Sequence, residues 1–418
     1  MIGVMVGACL LALYRFTGIF VKSSHWIAEV YGQTLVLPAA PVAIIPLQYG
    51  YYTFMAFISA FVCAGAPRFG SKVSYLGAAL FLTLTLSPVL AFNGVLFEPF
   101  SGMIAIVLAG LGGMFYGASD DGRKSHEVGQ WMDGRVSSQQ MGRLLAAPAA
   151  VELGGKRELS VLICRVLNHT DLCLQVDPAE VAASITDFQS ESSTHLLKKG
   201  GFLDACNVEG VRAVFGMAEP LSDHALVACK AALSLQKHLD AWRERTRSKV
   251  VFGIAVATGP MVVGIFGSDE HQQLSAIGEA LDFSRRLCSI NFVYGSKILL
   301  SARTYHVTKE SVEARPMEMV SAPRLHQISE VYELMDEKGR LNEEQTKARD
   351  AFWHGVVSLR KGAYKEAVGH LKRAQIEGEE DAPLRYFLER AEAGIREDKP
   401  EGGEGKITAK HVRVLTAG

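Results

Sequence analysis

Three short stretches carry the charged groups best placed for chemistry. GGFLDACNVEGVRAVFG (200–216) holds two apolar runs separated by a tight turn, and that turn carries one carboxylate, Glu209. LSAIGEALDFSRRL (274–287) is an apolar run that opens into a helix, with Asp282 and Arg286 four residues apart on it and Gln273 just ahead of it. LSVLICRVL (159–167) is nearly all apolar except for Arg165 towards its end. A carboxylate at such a break offers anionic oxygen to a hard cation. Left to itself, Glu209 reads as a solvated turn residue, and Arg286 as a surface or ion-paired arginine. The cysteines point to buried free thiols rather than to metal or disulfide roles. The seven cysteines form no CxxC pair and no zinc spacing with histidine, and most lie in apolar runs, as buried free thiols of a reducing cytosol do.

Periodicity gives the elements that must position these groups. LSVLICRVL is a buried strand by length and β-branching. DPAEVAASITDFQSESSTHLLKKGG (177–201) reads as a helix closed by glycine. FLDACN and VRAVFG are short strands flanking the Glu209 turn. LSDHALVACKAALSLQKHLDAW (221–242) starts at a Ser/Asp cap and carries Leu226, Cys229, Leu233 and Leu239 on one stripe. KVVFGIAVATG and PMVVGIFG (249–267) read as a hairpin-like strand pair. A helix from about 278, a strand at 297–301 and strands near 311–318 and 329–335 follow. The order β-α-β-β-α-β predicts a ferredoxin-like α+β core. Helices would cover one sheet face and leave the other free for a partner.

The chain around this core is uneven. A formal net charge of −1 over 418 residues excludes broad nucleic-acid binding. Residues 1–117 hold only Arg15, Lys22, Glu29, Arg68, Lys72 and Glu98 as charges, whereas charges are frequent from Asp120 onward. Four apolar segments near 2–21, 44–66, 74–94 and 97–117 approach the ~20 residues that a membrane-spanning helix needs. The first lacks the basic start and small-residue cleavage site of a signal peptide. Arg68 and Lys72 after the second segment, and Arg123 and Lys124 after the fourth, orient these loops to the cytoplasm, with Lys22 against the rule. Residues 118–157 form a connector. In it VSSQQMGRLLAAP (136–148) reads as a helix starting at serine, with Met141, Leu144 and Leu145 apolar, either as a plain linker or as a signal-transmitting segment.

At this point residues 129–335 resemble the catalytic domain of the class III nucleotide cyclases, the adenylyl and guanylyl cyclases. The matching pieces are SVLICRVLNHT, DPAEVA, KKGGFLDACNVEGVRAVFG, SDHALVACKAALSLQ, FGIAVATGPMVVGIFGS, LSAIGEALDFSRRL and the closing VYEL. WMDGRVSSQQMGRLL and GGKREL resemble the lead-in of bacterial membrane-bound members, which implies a multi-pass protein of the bacterial inner membrane with cytoplasmic soluble domains. About half the chain is covered, in order and spacing. The resemblance implies a site at a dimer interface, where two Mg or Mn ions offset triphosphate charge and assist attack of the ribose 3′-hydroxyl on the α-phosphorus.

The family's two metal-binding aspartates correspond to Arg165 and Glu209. Its base-recognising lysine corresponds to Ala205 and its base-recognising aspartate to Gln273. The asparagine of the next helix corresponds to Asp282, and the phosphate-steadying arginine, retained, to Arg286. Arg165 swings the local charge by two units and cannot shed its proton. About 4 Å from a divalent ion it repels by several kcal/mol even at an effective dielectric of ~20. Arg165 and Glu209 are expected to lie within reach and to form a guanidinium–carboxylate pair in place of the ion. The resulting expectation is a membrane-anchored pseudo-cyclase without a cofactor, a homodimeric or heterodimeric regulatory or scaffold module with ATP as a candidate ligand. The alternative is an active adenylate cyclase that makes cAMP from ATP with an unusual metal site holding Mg or Mn.

Residues 342–395 are helical. Gly355, Gly362, Tyr364, Ala367, Leu371 and Ala374 fall where a tetratricopeptide repeat places small and aromatic residues, and a third helix starts near Ala382. A generic α-hairpin fits the same residues. One repeat does not bury its own faces, so these helices are expected to dock on the cyclase-like domain or on a protein partner, and in a third reading they are the working end of an assembly adaptor. The polar, glycine-rich tail is expected to be disordered. The chain is thus expected to be multi-domain: transmembrane α-helices over 1–117, a connector over 118–157, the cyclase-type ferredoxin-like domain over 158–336, an α-helical hairpin repeat over 341–396 and a tail over 397–418.

Overall fold

The computed structural model describes residues 19–34, 42–66, 69–148, 151–268, 270–321, 328–396 and 412–414. The chain divides into two compact units, Met1–Gln130 and Trp131–Gly418.

The first unit holds α1 (Ile19–Thr34), β1 (Val42–Ala43), α2 (Ile45–Gly65), α3 (Phe69–Phe92), β2 (Val95–Leu96), α4 (Pro99–Ala118) and most of α5 (Asp120–Met132). Small residues let α2 and α4 approach closely. A side chain at Gly113 would meet the Ala60 carbonyl, and one at Gly117 would come within 2.8 Å of the Ala64 carbonyl oxygen. Pro99 starts α4 where its missing N–H costs nothing, and Glu98 caps it, accepting from the N–H groups of Phe100 (3.0 Å) and Ser101 (2.9 Å). Among the described residues two helices, α3 and α4, are long and apolar enough to cross a membrane, by length and composition alone. That is fewer than the four segments expected. The expected span 2–21 lies almost wholly outside the described residues. α1 runs on to Thr34 through what was expected to be a loop, and α2 is not one of the two.

The second unit begins with α6 (Ser138–Ala146), which has a full capping box between Ser137 and Gln140. β3 (Gly155–Val166), α7 (His169–Gln175), α8 (Pro178–Lys198), β4 (Phe202–Asn207), β5 (Gly210–Phe215), α9 (His224–Thr246) and β6 (Phe252–Gly267) follow. The βαββαβ order is present, and its strands lie β6-β3-β5-β4, each antiparallel to its neighbour. Then come β7 (Gln272–Ile277), α10 (Glu279–Tyr294), β8 (Ile298–Ser301), α11 (Ala302–Thr308), β9 (Val312–Ser321) and β10 (Ile328–Glu337). β8 runs parallel to β6, and β10 and β9 extend the sheet beyond it, while β7 pairs with the far half of β6. The pair of strands expected over 249–267 is one sixteen-residue strand. Gly259-Pro260 resembles a turn in sequence. It falls between the stretch of β6 paired with β8 and the stretch paired with β7, where one side of the strand has no ladder partner.

Alternation in the strands builds the core. Leu162 and Cys164 of β3, Ala213 and Phe215 of β5, and Ile254 and Val256 of β6 face α8 and α9, meeting Phe188, Leu196, Leu239 and Trp242. Each leucine, isoleucine, valine or phenylalanine among them contributes roughly 1.5–3 kcal/mol by leaving water. The opposite sheet face is not free, contrary to expectation. α10 lies on it, because its stripe Phe283, Leu287, Ile290 and Tyr294 needs an apolar bed. A side chain at Gly253 would come within 2.9 Å of Asn291, and the Asn291 amide donates to the Ile254 carbonyl at 2.9 Å.

The C-terminal helices are α12 (Glu343–Arg360), α13 (Tyr364–Arg373) and α14 (Ala382–Arg396). Gly355 lets Leu371 close in, since a side chain there would lie 2.6 Å from it, and Gly394 does the same for the Tyr364 ring at 2.5 Å. They belong to the same compact unit as the sheet and dock on β9 and β10. Most of the tail lies outside the described residues, but β11 (Val412–Val414) pairs parallel with β9, so these three are not disordered as expected. Cys164, Cys229 and Cys288 are buried free thiols, and burial pushes Cys229 and Cys288 up to about 12. Cys63 is buried as well, so most of the described thiols are buried as expected, while Cys173 and Cys206 are exposed. Cys9 lies outside the described residues.

Candidate functional site

The site lies where the β4–β5 turn meets β3. Arg165 stands opposite Gly210 in the ladder. Gly210 has φ +149°, and any side chain on it would collide with the Cys164 carbonyl oxygen. Only glycine therefore allows the turn this close to β3, and this approach seats Glu209 beside Arg165. Asn207 accepts from the Glu209 N–H at 3.0 Å and fixes the turn.

The two predicted metal positions do meet. Arg165 Nη2 lies 3.5 Å from Glu209 Oε2, and Nη1 donates to Ser289 Oγ at 3.2 Å. The pairing is loose. The Glu209 side chain is 61% exposed, and among the described residues the buried Arg165 Nε has no hydrogen-bond partner. Ala205 and Gln273, the two expected base-recognition positions, are also brought near one another, through a residue that pattern reading missed. Asp204 is fully buried and pairs with Arg212 of β5. It accepts from Ser275 Oγ at 2.6 Å, while its carbonyl accepts from the Gln273 amide at 2.7 Å. Ala205 follows Asp204 at an irregularity in the β4–β5 ladder. A carboxylate in β4 and an arginine eight residues on, each inside an apolar strand, is the sequence signal that would have revealed this pair.

Arg165, Arg212, Ala205, Asn207 and Glu209 line a cleft of about 50 Å³, joined by Arg285 of α10. Arg285 was not anticipated. Asp282 and Arg286 do not line it. They pair with each other, Arg286 Nε to Asp282 Oδ2 at 2.8 Å, as neighbours one helical turn apart.

The donor set does not fit a pair of divalent ions. Mg and Mn take several oxygen ligands, with carboxylates prominent among them. Here Glu209 faces Arg165, and Asp204 is committed to Arg212 and Ser275. Among the described residues no group of three or more His, Cys, Asp or Glu side chains is placed to hold a metal ion.

No protein-family profile matches the chain. Among curated proteins the chain is similar to adenylate cyclase 1 of Rhizobium meliloti, 25% identical over 186 residues, which cover 43% of this chain and 28% of that one. It is similar to the adenylate cyclase of Anabaena cylindrica, 24% identical over 161 residues, 36% of this chain and 31% of that one. It is also similar to the terminal-differentiation specific adenylate cyclase of Dictyostelium discoideum, 25% identical over 267 residues, 60% of this chain and 12% of that one. The chain therefore spans less than a third of the length of these relatives. It carries a domain homologous to the class III adenylate and guanylate cyclases. Among solved structures, the adenylyl cyclase CyaB from P. aeruginosa is matched at 22% identity with a TM-score of 0.40, covering 45% of this chain and 99% of that one.

Proposed function

We propose that this is a membrane-anchored signalling protein whose cyclase-like domain is catalytically impaired, a pseudo-cyclase that serves as a dimeric regulatory or scaffold module. The observation that carries this reading is Arg165, whose guanidinium contacts Glu209 where the reaction needs metal-binding carboxylates. A guanidinium can offset phosphate charge, but it offers no coordination position to a ribose hydroxyl. The remaining positions agree. The Gln273 amide is engaged by the Asp204 carbonyl, Ala205 has no polar group to offer a base, and Asp282 holds the one retained arginine, Arg286. The apolar helices α3 and α4 support the membrane anchor. Exposed Val262, Ile265 and Ile277 on the β6–β7 hairpin are the surface assigned to a second copy. The repeat-like helices α12–α14 are assigned to a protein partner, and the placement is the cytoplasmic face of a bacterial inner membrane.

The test is a cyclase assay on the full-length protein with ATP or GTP and Mg²⁺ or Mn²⁺. No cyclic product is expected. Arg165→Asp alone should not restore turnover, because Ala205, Gln273 and Asp282 remain unsuited. Combining it with Ala205→Lys, Gln273→Asp and Asp282→Asn is the variant in which activity is sought. Formation of cyclic product by the wild-type protein sinks the reading.

A further inference from the structure

Three arginines line the cleft at the end of β3: Arg165 from β3, Arg212 from β5 and Arg285 from α10. Against them stand two carboxylates, and these are unequal. Asp204 is sealed beneath Arg212 with no exposed side-chain surface. Glu209 is mostly solvated and reaches Arg165 only at 3.5 Å. Arg165 has five N–H donors. Among the described residues it uses one on Ser289 and one on that long contact. Arg285 is exposed on α10, with no ion pair among the described residues. The concave wall therefore carries more donors and more positive charge than its acceptors satisfy. That is the condition under which planar guanidinium forks take up a tetrahedral oxyanion. A cleft of about 50 Å³ has room for one phosphoryl group and not for a nucleoside.

We propose that this cleft binds a phosphoryl group directly, without a divalent ion, with Arg165 and Arg285 as its principal donors. The proposal rests on the pseudo-cyclase reading in that Arg165 takes the place of a metal ligand. The phosphoryl group is either free phosphate or part of a nucleotide whose base lies outside the cleft. Ala205 and the engaged Gln273 give such a base no selective contact, so ATP and GTP should bind alike.

The experiment is calorimetric titration of the detergent-solubilised full-length protein with inorganic phosphate, pyrophosphate, ATP and GTP, in EDTA and again with Mg²⁺. Saturable binding in EDTA is expected, weakened at least about tenfold by Arg165→Gln and by Arg285→Gln, since a charge-assisted hydrogen bond contributes about 1.5–3 kcal/mol. Arg285 lies on an exposed helix face, so its variant tests the site even if Arg165→Gln misfolds. Phosphate or pyrophosphate binding as tightly as ATP assigns the site to free phosphates, and ATP and GTP binding alone assigns it to nucleotides. Binding only in the presence of Mg²⁺, no saturable binding, or binding indifferent to Arg285→Gln overturns the proposal. The cyclase assay is read separately. An inactive protein that binds nothing in EDTA overturns this proposal alone, whereas formation of cyclic product overturns the pseudo-cyclase reading whatever the calorimetry shows.

Discussion

Arg315 and Arg165 both face carboxylates in the same unit, with opposite outcomes. Arg315, on β9, is enclosed where the sheet meets the C-terminal helices. Its Nε donates to Glu333 at 2.8 Å, its two Nη atoms grip Asp381, and its guanidinium lies 4.2 Å from the centre of the Phe352 ring. Around it Arg349 pairs with Glu313, Arg390 with Glu318 and Arg360 with Glu330, although among the described residues Arg360 Nε and Nη2 have no partner. Arg165, at the cleft, has one hydroxyl and one distant, solvated carboxylate. An arginine whose donors are spent on its own chain holds two substructures together. An arginine with donors to spare, facing a concave surface, has capacity for something else.

The largest effect that tests this contrast is Arg315→Leu. Glu333 is buried, and burial already raises its pKa above the ordinary value against the pull of Arg315. Burial also acts upward on Asp381, but there the hydrogen bonds and charge of Arg315 outweigh it and hold the group below its ordinary range. Removing Arg315 leaves both carboxylates without their cation, so a loss of about 3–5 kcal/mol is expected in denaturant unfolding of the purified protein. A loss under about 1 kcal/mol would mean that the junction does not hold the helices. Next comes Gly210→Ala. It sets a side chain against the Cys164 carbonyl at a backbone angle that non-glycine residues avoid, and backbone there cannot rotate away. A loss of about 1–3 kcal/mol is expected, with displacement of Glu209 from Arg165. An unchanged stability would show that the turn has slack.

These two sites were unequally legible in the sequence. At the cleft the turn that carries Glu209 was legible from the two apolar runs around it, whereas its meeting with Arg165, 44 residues away, was expected only from the family resemblance, and Arg285 of α10 was not expected at all. Asp204 and Arg212 sit in the same hairpin and were overlooked only because each is surrounded by apolar neighbours. The junction could not be read. Arg315, Glu333 and Asp381 are far apart in the chain, and nothing in the local pattern of an exposed-looking arginine says which carboxylates will enclose it. The face taken by α10 was hidden for a related reason. Periodicity shows which side of a helix is buried, not which side of the sheet buries it. β6 was split in two because Gly259-Pro260 has turn chemistry, and only the stagger of β7 and β8 along it makes a straight path acceptable.

Acid should separate the arginine pairs from a third cluster. His195 stacks on His238 with ring centres 4.9 Å apart, near Glu191, Lys198 and Lys199. Burial, then the charges of His238 and the two lysines, lowers His195 from 6.5 to about 4. The folded protein therefore binds fewer protons than the unfolded chain in this range, and stability should fall as pH drops from about 6.5 to about 4. Asp381, lowered, loses its contribution only below the ordinary aspartate range. Glu333, raised, acts with the opposite sign and gains as pH falls. His195→Asn should flatten the acid slope while leaving stability above pH ~7 nearly unchanged. A slope that persists in His195→Asn and vanishes in Arg315→Leu would move the pH response to the junction.

The smallest effect is expected at the cleft itself, from Arg165→Met. The change gives up the contact to Glu209, which at 3.5 Å with a mostly solvated carboxylate belongs among pairs worth about 0–1 kcal/mol. It also gives up the bond to Ser289, a residue that retains a backbone partner in the Arg285 carbonyl at 3.2 Å. Against these losses it removes the buried, unpartnered Nε, a defect of roughly 1–3 kcal/mol. The terms oppose each other, and the net change in unfolding free energy should fall within about 1 kcal/mol of zero. Methionine keeps the apolar stem as far as the Nε position and gives up only the guanidinium end, which reaches the open cleft. A loss as large as that of Arg315→Leu would place Arg165 among the structural arginines. A stable Arg165→Met protein that has lost its metal-free phosphate binding would show that the donors left over at the cleft are used on a ligand.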